Sequence, residues 1–182
     1  MRIIAGSLKG RRLAPVKGRI RPTGAKVREA VFAILGNAVI QARVLDLFAG
    51  TGALGIEALS RGAQEAVFVE DNPESLKVLR RNLAELDLKD RSKVLPVPVH
   101  QALRKLAVQG EDFDLAFLDP PYGGEKAAAA LEDLAKAEIM AANTWVVAEH
   151  SRRDSLPETA GNLQRRELRR YGDTQVAFYQ VV

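Results

Sequence analysis

Residues 44–55, VLDLFAGTGALG, change character twice within one short stretch. Val44-Leu-Asp-Leu-Phe48 is a mostly apolar strand. Gly50-Thr-Gly52 is a turn, and Leu54 opens a helix. Gly50, Gly52 and Gly55 stand at G-x-G-x-x-G spacing, and Glu70 follows twenty residues after Gly50, at the end of the next apolar run. A strand, a glycine turn and a helix in this order imply a parallel sheet that binds its ligand beyond the strands' carboxyl ends.

The rest of the chain repeats the rhythm. Strands are predicted over 43–48, 66–70, 93–99, 114–119 and 144–149, and helices over 54–61, 73–86, 101–107 and 125–137. Short apolar strands alternating with helices indicate a sheet covered on both faces. The last forty residues break the pattern. Residues 164–170 and 175–181 are strand-like around the turn Tyr171-Gly-Asp-Thr174, which predicts an antiparallel hairpin closing the sheet. The fold class is therefore α/β, a Rossmann-like, mainly parallel seven-stranded sheet with a C-terminal antiparallel hairpin. Upstream, residues 1–15 read as a small β-hairpin turning at 6–10. A helix follows, with Thr23 as its N-cap and Val27, Ala30, Val31, Ile34 and Leu35 on one side. The expected organisation is a basic extension over 1–22 and one main domain over 23–182.

Composition narrows the chemistry. The 182 residues contain no cysteine and two histidines, His100 and His150. Disulfides, thiolate metal sites and a cysteine nucleophile are excluded, and no metal is expected. No run of eighteen apolar residues exists, and the N-terminus lacks the apolar core of a signal peptide. The expectation is a soluble cytoplasmic protein. Residues 1–28 hold nine Lys or Arg and no acid, while the remainder carries 18 basic and 23 acidic residues. A cationic end on a mildly acidic body suits a polyanion such as nucleic acid.

Charge also sorts the ligands of the glycine turn. A dinucleotide would set its pyrophosphate at the helix N-terminus, where the Asp46 carboxylate, four residues before Gly50, would repel it. S-adenosyl-L-methionine has no phosphate and carries a sulfonium and an ammonium. Asp46 near its methionine end and Glu70 on its ribose hydroxyls would suit it, with Gly50, Gly52 and Gly55 allowing close backbone approach.

The stretch LDPPYGG, residues 118–124, ends the fourth strand and should face the same crevice. Pro120 and Pro121 fix the backbone and remove two N–H donors. What remains is an acceptor cluster, Asp119 and the Pro120 carbonyl, beside the Tyr122 ring. That set fits a flat base bearing an NH2. The acceptors draw the amine toward sp3 geometry and free its lone pair for in-line attack on a methyl group. Stacking on Tyr122, worth ~1–3 kcal/mol, helps offset extraction of the base.

At this point the sequence resembles a known family. The pair DLFAGTGALGIEALSRGA and LDPPY is similar to the class I S-adenosylmethionine-dependent amino-methyltransferases. GSLKGRRLAP, RPTGAKVREAVFAIL and RRYGDTQVAFY narrow the resemblance to bacterial enzymes that methylate N2 of a guanine in 16S rRNA. It covers essentially the whole chain and implies the class I methyltransferase fold. It implies a cofactor site of Asp46, Phe48, Ala49, Gly50, Thr51, Gly52, Gly55, Glu70, Asp71, Gln101 and Ala102. It implies an amine site of Asp119, Pro120, Pro121 and Tyr122, and an RNA-gripping set of Lys9, Arg11, Arg12, Arg19, Arg21 and Arg28. Gln101 stands where the family usually has an acid near the cofactor's adenine, and Arg28 could face either cofactor or RNA. His100 is expected as a neighbour of that site rather than a catalyst. Arg152, Arg153, Arg165, Arg166, Arg169 and Arg170 could add a second basic patch. The implied partner is 16S rRNA in the assembling small subunit, met by a monomer. The LDPPY motif is shared with adenine-N6 enzymes, so an adenine-N6 methyltransferase acting on RNA or DNA is the alternative. A nicotinamide-dependent oxidoreductase would explain the glycines and Glu70, but neither Asp46 nor Asp119–Tyr122.

Overall fold

The computed structural model describes residues 1–16, 24–121 and 126–182. Thr23, Arg19, Arg21 and Tyr122 lie outside them. Strands β1 (Arg43–Leu47), β2 (Glu65–Val69), β3 (Ser92–Leu95) and β4 (Phe113–Leu118) alternate with helices α2 (Ala53–Ser60), α3 (Pro73–Glu85) and α4 (Val99–Val108). Helix α1 (Ala25–Leu35) precedes β1. Helix α5 (Lys126–Ala137) leads to β5 (Met140–Ser151), and β6 (Thr159–Ala160), β7 (Leu163–Tyr171) and β8 (Thr174–Val181) complete the chain.

The sheet has eight strands, not seven, in the order β3-β2-β1-β4-β5-β8-β7-β6. The extra strand is the two-residue β6, too short to carry a sequence pattern. The pairs from β3 to β5 are parallel, and those of β8 with β5 and β7 are antiparallel. From β1 the chain steps outward to β2 and β3, then returns to place β4 on the other side. That reversal opens a crevice above β1 and β4. Leu47 pairs with both Val69 and Leu118, so the residues that follow these strands stand at one level.

Alternation along β1 sorts the two cores. Leu45 and Leu47 join the layer under α4 and α5, while Val44 joins the layer under α1, α2 and α3. The second layer also contains Ile3 and Leu13. The N-terminal hairpin is therefore part of the core. It has a single antiparallel bridge, Arg2 to Arg12, and it lies over α2.

That cover explains why α2 is buried from Leu54 to Ser60, Glu57 included. The Glu57 carboxylate accepts from the backbone N–H groups of Ile4 (2.9 Å) and Ala5 (3.0 Å) and from Arg61 Nε (2.8 Å). Ser60 Oγ donates to Ala5 O and accepts from Leu8 N–H, and Ser7 N–H donates to Ser60 O. Gly6, at φ 83°, presses so close that a Cβ would meet Ser60 O at 1.8 Å. The returning arm is tied to α3: Ala14 N–H donates to Asn82 Oδ1 (2.8 Å) and Arg11 Nη2 to Glu85 O (2.8 Å).

Glu57→Ala strands two backbone donors and removes the ion-pair partner of Arg61. We expect a loss of about 3 kcal/mol in urea unfolding, and faster hydrogen exchange at the Ile4 and Ala5 amides. Unchanged exchange there would show that the hairpin does not depend on this carboxylate.

Candidate active site

The ends of β1, β2 and β4 converge on a cavity of about 790 Å3. Its walls include Asp46, Phe48, Ala49, Gly50, Thr51, Glu70, Asp71 and 119–121. The sequence motifs at 44–55, 70–71 and 118–121 thus meet at one place. The lining contains five carboxylates (Asp46, Glu70, Asp71, Asp119 and Asp133) against Lys126 and His100. It is an acidic crevice, suited to a ligand with positive charge and poor for a pyrophosphate.

Each motif acid is held by backbone donors. Asp46 is 1% exposed, and its Oδ2 accepts from Gly55 N–H at 2.9 Å. Burial pushes its pKa up to about 7; the Gly55 hydrogen bond opposes the rise and the charge of Glu70 adds to it. Glu70 accepts from Gly50 N–H at 2.7 Å through Oε2, and from Asp71 and Asn72 N–H at 3.1 and 2.9 Å through Oε1. The acid of the second strand therefore orients the glycine turn of the first. Phe48 sits at φ 62°, an uncommon conformation for a bulky residue, enforced where Ala49 N–H bonds to Val69 O at 2.9 Å.

Gly52 and Gly55 do not line the cavity. A Cβ on Gly55 would meet Phe68 Cε1 at 2.4 Å and Asp46 Oδ2 at 3.0 Å, so this glycine lets α2 approach β1 and β2. Gly52, at φ 82°, caps α2 at its start. Gln101 is exposed and Ala102 buried, both in the first turns of α4; 98–100 line the cavity in their place, His100 among them.

The basic residues separate. Lys9, Arg11 and Arg12 are exposed, whereas Arg28 is 1% exposed. Its Nη1 contacts Met1 Sδ and its Nη2 donates to Arg2 O at 2.9 Å. Burial lowers the Arg28 pKa, and the Glu57 charge opposes that change. Arg28 thus points into the hairpin, away from the exposed basic surface. Sequence reasoning missed Met1, Pro15 and Val16, which line the cavity from the N-terminal arm, and Lys126 and Asp133 from α5. It also missed Glu57, although an acid inside the apolar run ALGIEALS was a visible anomaly.

The model of the family described as "Conserved hypothetical protein 95" matches residues 1–180. The chain belongs to this family. A Bacillus subtilis protein provisionally named rRNA methyltransferase YlbH is 40% identical over 181 residues, covering 99% of this chain and 98% of its own. The Escherichia coli ribosomal RNA small subunit methyltransferase D is 39% identical over 123 residues, 67% of this chain and 60% of its own. The solved structure of an Escherichia coli protein provisionally described as methyltransferase yhhF superposes with a TM-score of 0.88 at 31% identity, covering 100% of this chain and 97% of that one. The family fold is thus the class I methyltransferase fold.

The raised Asp46 pKa sets a sign for pH dependence. Its folded value of about 7 lies above the ordinary 3.8, so between these values the ligand-free protein holds a proton that the unfolded chain has lost. The contribution of this group to stability falls as pH rises through that window, by up to about 1.4 kcal/mol per unit. Asp46→Asn should flatten the fall in urea unfolding at pH 5 and 8. An identical slope in the variant would place the titration elsewhere. Gly55→Ala should cost about 1–3 kcal/mol by overpacking against Phe68, measured by thermal unfolding.

Proposed function

We propose that the protein transfers a methyl group from S-adenosyl-L-methionine to the exocyclic N2 amine of a guanine in 16S rRNA. It acts in the cytoplasm, as a monomer, on the assembling small ribosomal subunit. The observation that carries the reading is the placement of Asp46, Glu70 and Asp119 around one acidic cavity at the β1/β4 reversal. Among the described residues no helix is long and apolar enough to cross a membrane. The names of the relatives support rRNA as the substrate.

The residues fit S-adenosylmethionine. A cavity of about 790 Å3 is large enough for a ligand of its size, and a carboxylate-rich wall complements two cationic groups. Asp46, Phe48–Gly50, Thr51, Glu70 and Asp71 would hold it, with 98–100 beside its adenine. When bound, it supplies an electrophilic methyl group on a sulfonium.

This chain's residues do the remaining work. Asp119 and the Pro120 carbonyl accept hydrogen bonds from the guanine NH2, turning its lone pair out of conjugation and along the line of attack. Pro121 holds that backbone rigid, and Tyr122 stacks on the base. After transfer, the nitrogen sheds one proton, with the Asp119 carboxylate at hand to accept it. The exposed Lys9, Arg11 and Arg12, with Arg19 and Arg21, grip RNA phosphates, which makes binding steeply salt-dependent.

The first test is incubation with labelled S-adenosylmethionine and undermethylated small subunits, naked 16S rRNA or duplex DNA, then digestion to nucleosides. Label in N2-methylguanosine from the ribosomal substrate is expected. Label in N6-methyladenine would keep the chemistry and overturn the substrate. Asp119→Ala should lower kcat by roughly two to three orders of magnitude, while calorimetry finds cofactor binding retained. Full activity in this variant would remove Asp119 from the amine site.

A further inference from the structure

The outer face of α3 continues the basic surface of the N-terminal arm, and nothing in the catalytic reading uses it. Lys77, Arg80 and Arg81 are exposed, Lys77 standing three and four positions before the other two; Lys77 and Arg81 lie away from the buried Leu79 and Leu83, and Arg80 lies on the flank beside Leu76 and Leu83. Cations at these spacings share one helix face and repel each other. Arg81 is satisfied by Glu85 at 2.7 Å. Among the described residues, Lys77 and Arg80 have no ion-pair partner, and neither do Lys9 and Arg12 on the arm.

The arm is bonded to this helix through Arg11 on Glu85 O and Ala14 on Asn82 Oδ1. Both elements then run toward the crevice. Pro15 and Val16 line the cavity, and α3 begins immediately after Asp71, which also lines it. The thirteen residues of α3 span about 20 Å. Exposed cations therefore lie along α3 and the arm bonded near its C-terminal end, and both elements lead to residues that line the cavity, with Glu74 and Glu85 as the acids at the two ends of α3.

We propose that the outer face of α3 and the returning N-terminal arm form one continuous track for RNA phosphates, in which Lys77 and Arg80 lead the strand to the crevice. The track rests on the rRNA reading above. It supplies sequence-independent grip and register, while Asp119 and its neighbours select the base. An RNA strand laid along the face supplies the anions that relieve the repulsion between Lys77 and Arg80.

The test is Lys77→Ala/Arg80→Ala in the full-length protein. Binding to undermethylated small subunits and to naked 16S rRNA is measured across a salt series, and cofactor binding by calorimetry. Both side chains are exposed, so the fold should persist, as thermal unfolding will show. Loss of two phosphate contacts should lower the slope of log K against log salt by roughly 1.4 and weaken binding about tenfold at low salt. Cofactor affinity should stay at the wild-type value. Lys77→Arg/Arg80→Lys, which keeps the charge, should restore the slope; a merely structural role would not predict that rescue. Wild-type slope and affinity in the alanine variant would overturn the track while leaving the enzyme's substrate in place. Wild-type protein that binds neither RNA would overturn the rRNA reading and the track with it.

Discussion

Carboxylates brought to the ends of adjacent parallel strands repel one another, and the local structure around the crevice answers that cost. Asp46 lies within β1 and Glu70 directly after β2, close enough for the charge of one to raise the pKa of the other. Backbone N–H groups compensate: Gly55 for Asp46, and Gly50, Asp71 and Asn72 for Glu70. These donors come from the glycine turn, the first turn of α2 and the segment that leads into α3. The turn that would face a ligand is thus the turn that stabilises the acids meant to bind it. Burial, with a smaller part from the charge of Glu70, raises the Asp46 pKa to about 7, and a cationic ligand beside it would favour its charged form.

A second constraint concerns α2. This short helix is apolar on nearly every side, so it needs cover on its outer face as well as from the sheet. The N-terminal hairpin supplies it, anchored through a buried acid, a serine and the backbone. Lys9 and Arg12 are carried on a segment that belongs to the core, and the same segment places Met1, Pro15 and Val16 in the cavity wall. A surface that grips a polyanion and a pocket that holds a cofactor therefore share one rigid support. Cover for the helix and access to the crevice come from the same sixteen residues.

Much of this was legible in the order of residues. Short, nearly continuous apolar runs gave the strands to within a few positions, because strands buried on both faces tolerate few polar residues. Pro73 marked the start of α3; the structure adds Asn72 as its cap, the side chain accepting from Ser75 N–H. The β6 pairing escaped, because two residues carry no period. Arg28 was expected to face either cofactor or RNA, since nothing local distinguishes an arginine buried under a hairpin from an exposed one. Its burial depends on Met1 and Arg2 arriving from another part of the chain. Gln101, placed beside the cofactor by analogy with a family position, is exposed in the first turn of α4, and the three residues before it form the wall.

The sequence by itself determined the element types, the parallel sheet and the chemistry of the motifs, because these follow from periodicity, glycine and proline backbone limits and residue charge. Tertiary structure alone decided which charges meet. Strand register set Phe48, Glu70 and Asp119 side by side. The docking of the N-terminus on α2 and α3 buried Glu57 and Arg28 and tied Arg11 and Ala14 to the last turns of α3. Such pairings join residues far apart in the chain, and their energy is long-range burial and hydrogen bonding that no local pattern encodes.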